Sequence, residues 1–284
     1  MIRRTALLST LTLSLLLSAC GKNKDGADAG ADAQTQAQAQ DAEQGAAAAP
    51  EQEAPPPQLA YWPVVGPFLA GSYGGECLRM PDARKMDGAI DVGADGKVSA
   101  GGLDLDFRAA HKLVLGRMRD AEGHFSTMAI LAMEDDKAGL LSLNSGAPLK
   151  ESTASLAHKD IALMCSKVKA DKLNAQPLHV ALSKLLNGKK QTLSCLDTKN
   201  LMLRRDVDVE LAGGVIRIGD ASFDLKAADA ETITIDDAGR SMALGVVMPD
   251  KRMINLFYDG AGKLTGAMGM NEQESTHSCE EKKA

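Results

Sequence analysis

The chain has 284 residues, of which 44% are hydrophobic and 25% are charged, a balance typical of a globular protein. Its formal net charge is −6 and no segment concentrates Lys and Arg, which argues against a nucleic-acid partner and against electrostatic docking on anionic lipid. Aromatic residues make up only 3% and there are 13 methionines, so we expect a core built from Leu, Val, Ile and Met.

The amino-terminal segment, residues 1–19, has the pattern of an export signal. Arg3 and Arg4 precede an apolar run over residues 6–17, and charged residues follow soon after it. The run is shorter than the roughly 20 apolar residues that a membrane-spanning helix needs. We therefore predict a cleaved signal peptide rather than a transmembrane helix.

The signal ends in Leu17-Ser18-Ala19-Cys20-Gly21, which resembles the lipobox of bacterial lipoproteins. The resemblance implies that Cys20 carries an S-diacylglycerol and an N-acyl group such as palmitate, and that the protein contacts the membrane through this lipid. Gly21 stands where Asp would favour retention in the inner membrane. The implied location is the outer membrane, with the rest of the chain facing the periplasm. The alternative is an ordinary secreted protein in which Cys20 has no role.

Residues 20–58 follow as a lipidated cysteine and a polar tether. Ala, Gln, Asp, Glu and Pro dominate the segment, and it contains no large apolar residue. Such a composition buries too little surface to offset its ordering entropy, which predicts disorder. As a flexible coil the tether would span ~35 Å between the lipid and the first folded residue.

The sequence predicts an internal repeat of one module in the remainder of the chain, over residues 59–168 and 177–284. "ECLRM" at Glu76 resembles "SCLDT" at Ser194, and "GLDLDF" at Gly102 resembles "SFDLKA" at Ser222. "TMAILAM" at Thr127 resembles "SMALGVVM" at Ser241, and the same spacing then leads to the last cysteine of each half. We expect a pseudo-repeat, with the polar stretch 169–176 between the copies.

Both copies have the pattern of a mainly β fold, a β-dominated α+β protein with two tandem antiparallel modules. Short alternating runs are separated by Asp/Gly turns such as Asp120–Gly123 and Asp259–Gly262, which is typical of hairpins. One amphipathic segment near 177–187 begins with Pro177 and predicts a connecting helix.

Apart from Cys20, the chain has four cysteines: Cys77, Cys165, Cys195 and Cys279. Export to an oxidising compartment favours disulfide bonds, and four cysteines allow three connectivities. The repeat favours Cys77–Cys165 and Cys195–Cys279, because each module then has one cysteine near its start and one at its end. Metal-binding or catalytic thiols are disfavoured, because no pair shows close ligand spacing.

Two segments near the start of the first module resemble site motifs. Ala70–Gly74 resembles a nucleophile elbow around Ser72, but Cys77 and Pro81 follow at once, so we expect a glycine-rich loop. Asp91–Gly102 begins like a calcium loop but ends in glycine instead of the bidentate acid, so we expect a hairpin.

Met268 and Met270 place two thioethers on one strand face, with His277 close by in sequence. Thioethers suit Cu(I), but methionines also fill gaps in cores, and we expect core packing. No catalytic, cofactor-binding or metal residue is assigned.

These observations predict a lipid-anchored cell-envelope lipoprotein that acts as a non-catalytic binding or accessory module, with an envelope protein or glycan as its partner. Two alternatives stay open. One is an envelope hydrolase with a dispersed active site. The other is a lipid-anchored inhibitor of a foreign enzyme, which would need a rigid protruding loop such as Gly71–Gly75.

Overall fold

A computed structural model describes residues 58–134, 139–146, 152–169, 173, 178, 188, 190–197, 203–271 and 274–282. All of them belong to one compact unit, Glu53–Ala284. The predicted signal peptide, Cys20 and nearly all of the tether lie outside the described residues, as does the predicted helix 177–187 except for Leu178. The module boundaries at 59–168 and 177–284 stay predictions.

The described chain is dominated by strands, which confirms the mainly β fold. Its helices with described bounds are α1 (Trp62–Leu69) and three short 3₁₀ helices at Phe107–Ala109, Leu225–Ala227 and Asp237–Gly239, and Leu173 and Leu178 are also helical. The first strands are β1 (Gly71–Gly74), β2 (Glu76–Met80), β3 (Arg84–Lys85), β4 (Ala89–Val92), β5 (Lys97–Ala100), β6 (Leu103–Asp106), β7 (Lys112–Arg119), β8 (Phe125–Ala132), β9 (Leu140–Ser145), β10 (Thr153–His158) and β11 (Ile161–Ser166). The later strands are β12 (Gln191–Leu196), β13 (Arg204–Ala212), β14 (Val215–Ile218), β15 (Ala221–Asp224), β16 (Ala230–Asp236), β17 (Ser241–Val247), β18 (Arg252–Asp259), β19 (Leu264–Asn271) and β20 (Glu274–Glu281).

The strands form two antiparallel sheets. One has four strands in the order β1-β4-β5-β6. The other has sixteen, in the order β15-β14-β13-β12-β20-β19-β18-β17-β16-β7-β8-β9-β10-β11-β2-β3. Because most neighbours are consecutive in the chain, hairpins build nearly all of this sheet.

The second half of the chain repeats the element order of the first. Strands β2 and β4 to β11 correspond to β12 to β20, and in both halves a 3₁₀ turn follows the third hairpin strand. Asp106 and Asp224 accept a hydrogen bond from the backbone N–H two residues on, each at 3.0 Å. The halves differ at one point, since β4 pairs with β1 whereas its counterpart β13 pairs with β12.

One row of paired residues crosses the sheet and makes the repeat visible. The two halves meet where β7 pairs with β16, and Leu115 lies opposite its own counterpart, Ile233. Moving outward from this junction in either direction, the row ends at a pair of cysteines. In order it reads Cys77, Cys165, Ala154, Leu143, Ala129, Leu115, Ile233, Leu244, Leu256, Ala267, Cys279 and Cys195. All of these residues are buried except Cys279, which packs against the same core.

The structure has two disulfide bonds, Cys77–Cys165 and Cys195–Cys279, and these are the pairs that the repeat favours. Each joins directly paired residues of adjacent antiparallel strands, with Cα atoms 4.0 and 3.9 Å apart. The cysteines are 88 and 84 residues apart in the chain, and the bonds link corresponding strands of the two halves, β2 with β11 and β12 with β20.

The predicted hairpin turns are present. Asp120 Oδ1 accepts from the N–H groups of Glu122 and His124 at 2.9 and 2.8 Å. Asp259 makes the same two bonds to the residues after it, each at 2.9 Å. The Asp91–Gly102 segment forms the β4–β5 hairpin, in which Val92 pairs with Val98, rather than a calcium loop.

The glycine-rich loop predicted at Ala70–Gly74 is wrong, because residues 71–74 form strand β1 and pair with β4. The physical reason is Tyr73, which is 2% exposed and donates its hydroxyl hydrogen bond to the Leu69 carbonyl at 2.6 Å. Ser72 is exposed and the next residue, Tyr73, is buried, as in a strand that has one solvent-exposed face. The protruding loop that an inhibitor would need is therefore missing at this position.

Candidate functional site

The structure does not bring the sequence-predicted site residues together. Cys20 lies outside the described residues. Ser72 is an exposed residue of β1. Met268 and Met270 are on β19, whereas His277 pairs with the residue between them, Gly269, so the imidazole belongs to the opposite face of the sheet. The expectation that these methionines pack in the core is wrong for Met268, which is 40% exposed because its neighbours take the inward positions.

One group of possible metal ligands is present among the described residues. Donor atoms of Asp120, Glu122 and His124 lie within 4.8 Å of one another, and all three side chains are exposed. Asp120 already accepts two backbone hydrogen bonds in the β7–β8 turn. The cluster is explained by the turn that it closes.

Three of the four buried polar residues of the described chain, Glu231, Thr127 and Ser145, lie in one row across the core face; the fourth is Ser152. The row contains Glu231 on β16, Arg117 on β7, Thr127 on β8 and Ser145 on β9, each paired with the next. Glu231 is 3% exposed, and the two hydroxyl residues are each 1% exposed. Ser145 Oγ accepts from the Thr127 N–H at 2.9 Å and donates to the Thr127 carbonyl at 3.2 Å.

Arg117 and Glu231 form the charged end of this row. Arg117 Nη1 lies 4.0 Å from Glu231 Oε2, and their side chains are 13% and 4% exposed. The Arg117 guanidinium stacks on the Phe125 ring at 3.6 Å from its centroid. Burial raises the pKa of Glu231 to about 7, against the opposing effects of the Arg117 charge and a hydrogen bond from the backbone of Leu178. Burial also lowers the pKa of Arg117.

The second half has no such row. The counterpart of the Arg117–Glu231 pair, across the junction at Leu115 and Ile233, is Ile235–Leu113. The row then continues through Met242 and Tyr258, and these four residues are at most 8% exposed. The same architecture is therefore built with apolar residues in one half and polar ones in the other. Since burying a charged pair costs free energy that an apolar pair does not, the fold itself does not require the polar row.

The opposite face of the sheet carries an uncharged surface. From β10 to β19, three successive rows of outward positions contain no Asp, Glu, Lys or Arg. The first row also extends onto β11 and β2 and the second onto β20, whereas Glu280 on β20 pairs with Gly266 and ends the first row. We call these rows the uncharged face. They are Leu78, Met164, Ser155, Ser142, Ile130, Val114, Thr234, Ala243, Phe257 and Gly266; Thr153, Asn144, Met128, Gly116, Thr232, Gly245, Asn255, Met268 and Ser278; and Ser126, Met118, Ala230, Val247, Met253 and Met270.

Large apolar side chains protrude from this face. Met118 is 61% exposed, Met164 54%, Met128 41%, Met268 40%, and Leu78 and Phe257 are each 39% exposed. A shallow depression of about 300 Å³ adjoins them, with small residues such as Ala230, Thr232, Ala243 and Gly245 in its lining. The solvent-facing side of a sheet normally carries polar and charged side chains. A contiguous apolar patch on such a side indicates an interaction site.

A larger open cavity of about 750 Å³ in the second half is lined by charged residues of both signs. Several of these are already paired, Lys190 with Asp208 at 2.7 Å and Arg217 with Glu210 at 3.5 Å. His277 also lines this cavity, and burial followed by the nearby Arg205 charge lowers its pKa. The charges compensate one another locally, so the cavity favours no ligand of either sign.

Among the described residues, no helix has the length and apolar character needed to cross a membrane. Comparison with protein-family models, with curated proteins and with solved structures finds no match to this chain. The uncharged face and the buried polar row are therefore interpreted from their own chemistry.

Proposed function

We propose that this protein is a lipid-anchored module of the bacterial cell envelope that acts by binding, and that the uncharged face is its binding surface. The lipobox-like motif at Cys20 supports the anchor and the location in the outer membrane. The observation that carries the binding function is the absence of charge over three rows of the described sheet, combined with exposed methionines.

An exposed apolar surface costs free energy in water, which favours its burial against a partner. Burial of apolar surface contributes roughly 25 cal/mol per Å², so the exposed methionines gain when a partner covers them. Methionine is flexible and polarizable, which suits a surface that adapts to its partner. The alternative of an envelope hydrolase stays a prediction, because no set of catalytic side chains has been identified for it among the described residues.

The experiment compares three forms of the protein in cells. Chemical crosslinking followed by mass spectrometry should identify partners of the wild type and of Ser222→Lys, a control with a new charge on an exposed residue outside the uncharged face. Thr232→Lys, which places a charge in the centre of that face, should lose at least nine-tenths of the captured material. Equal capture by all three forms would contradict the proposed binding surface.

A further inference from the structure

We infer that the partner of the uncharged face is a second copy of this chain, packed sheet against sheet about a two-fold axis that runs parallel to the strands at the β7–β16 junction. The inference rests on the proposed function of this face and names its occupant. It follows from how large and small residues are distributed on the two sides of the junction.

A two-fold axis along the junction brings each outward residue against the residue at the same height and the same strand distance on the other side. Strand β7 then faces β16, β8 faces β17, and β9 faces β18 of the other copy. Face-to-face sheets pack about 10 Å apart with interdigitated side chains, so a large residue needs a small one opposite.

The rows meet this requirement at the positions nearest to the axis. Met118 on β7 would face Ala230 on β16, since these two residues are direct neighbours across the junction. One row further along the strands, Met128 on β8 would face Gly245 on β17. Both methionines are exposed, and both small residues line the depression.

The pattern continues away from the axis. Ile130 on β8 would face Ala243 on β17, which pairs with Thr234 in the same row. On the next strands the sizes reverse, so that Phe257 on β18 would face Ser142 on β9.

Polar side chains on the face are matched in the same way. Asn144 on β9 and Asn255 on β18 lie in one row at equal strand distances from the junction. Each would face the other across the interface, and an amide both donates and accepts, so two such groups satisfy one another. A second copy therefore supplies hydrogen-bond partners for the two amide groups that the contact would bury.

The available area is sufficient for such a contact. Strands lie about 4.8 Å apart, so the part of the face that is symmetric about the β7–β16 junction, the eight strands from β10 to β19, measures roughly 34 Å across the sheet. The three rows cover roughly 20 Å along the strands. The face therefore offers up to roughly 700 Å² per copy, close to the roughly 800 Å² per partner of a standard specific interface. The absence of charge on the face removes the like-charge repulsion that a self-pairing surface of this acidic chain would otherwise meet.

The test uses the full exported chain with Cys20→Ser, so that no lipid contributes to association. Sedimentation velocity between about 1 and 100 μM should show a dimer with a Kd in the micromolar range or below. Ile130→Lys and Ala243→Glu should each raise the Kd at least tenfold. Because these positions are on β8 and β17 with two strands between them, their charges meet only across the proposed interface.

The combination Ile130→Lys with Ala243→Glu should therefore restore the Kd to within about threefold of the parent. Met118→Lys, at the most exposed of these side chains, is a second disrupting variant, and Ser222→Lys is the control with an unchanged Kd. Thermal unfolding of each variant confirms that it is folded.

A monomer at every concentration would overturn the inference, as would a dimer indifferent to these charges or a double variant no better than the singles. Binding of a monomer to uncharged phosphatidylcholine vesicles through the same face would also overturn it. In that last case the proposed function would stand. Equal capture of crosslinked partners by the wild type and by Thr232→Lys, in contrast, would contradict the proposed function itself.

Discussion

Replacing Glu231 with Gln should remove a pH dependence that the buried carboxyl imposes on folding. In the folded protein burial raises the Glu231 pKa to about 7, and the side chain is 4% exposed. In the unfolded chain a Glu carboxyl titrates near pH 4.3. Between these two values the folded protein keeps a proton that the unfolded chain releases. Stability from this group is therefore present at acidic pH and is lost as the pH rises through the window.

The size of the effect follows from the two pKa values. The full loss above pH 8 corresponds to about 3 to 4 kcal/mol, and the part that falls between pH 5 and pH 8 is about 2.5 kcal/mol. Gln has the shape of the protonated acid and retains an acceptor for the Leu178 N–H, but it does not ionise. We therefore expect the free energy of unfolding of Glu231→Gln, relative to the wild type, to rise by about 2.5 kcal/mol over this range.

Urea unfolding of both proteins at pH 5, 6, 7 and 8 measures this difference. Other groups that titrate here, among them His277 with its lowered pKa, are present in both proteins and cancel in the comparison. Glu134→Gln, at an exposed position, is the matched control and should follow the wild type at every pH. Parallel curves for the wild type and Glu231→Gln would refute the reasoning, since the carboxyl would then titrate alike in both states.

Three further predictions concern the buried ion pair, the second disulfide bond and the lipid anchor. Arg117→Ile should destabilise the protein by about 3 to 5 kcal/mol at pH 8, because it leaves the Glu231 charge buried without its ion-pair partner. The double variant Arg117→Ile with Glu231→Leu copies the apolar row of the second half. Its free energy of unfolding in urea should lie within about 1 kcal/mol of the wild-type value. A double variant no more stable than the single one would contradict this. Replacing Cys195 and Cys279 with Ala removes a cross-link between residues 84 positions apart in the chain. The free energy of unfolding should fall by about 4 kcal/mol, and an unchanged midpoint of guanidinium unfolding would count against the disulfide. Cys20→Ser should release the protein from the membrane fraction and abolish palmitate labelling, and undiminished labelling would rule out the lipobox.

The repeat could be read from the sequence, but its register could not. "GLDLDF" and "SFDLKA" are recognisably related, yet the structure aligns Asp106 with Asp224, a shift of two residues from the apparent match. A shift of two leaves the inward and outward alternation of a strand unchanged, so the hydrophobic pattern does not detect it. The two residues become equivalent only through the turn that each one caps.

Met128 and Met242 also appear equivalent in sequence, and they are not. Counting from the Leu115–Ile233 pair, Met128 corresponds to Ala243 and faces outward, whereas Met242 is 2% exposed. A shift of one residue moves a side chain to the other face, so the sequence match pairs an exposed methionine with a buried one.

The candidate site depends on rows that run across strands distant in the chain. Glu231 and Arg117 are adjacent only because β16 pairs with β7, which no local pattern predicts. The signal that the sequence did contain was the scarcity of charge in the alternate positions of β7, β8 and β16 to β19. An ordinary half-wet strand would carry charges there.

A photo-crosslinking amino acid placed at position 128 in the living cell tests most directly whether this protein acts through its uncharged face. Met128 is 41% exposed at the centre of that face, and position 222 on β15 provides the control outside it. Irradiation should give a discrete adduct from position 128, with the mass of a second copy, that is lost when Thr232→Lys is added. No adduct from position 128, or an equal one from position 222, would contradict the account.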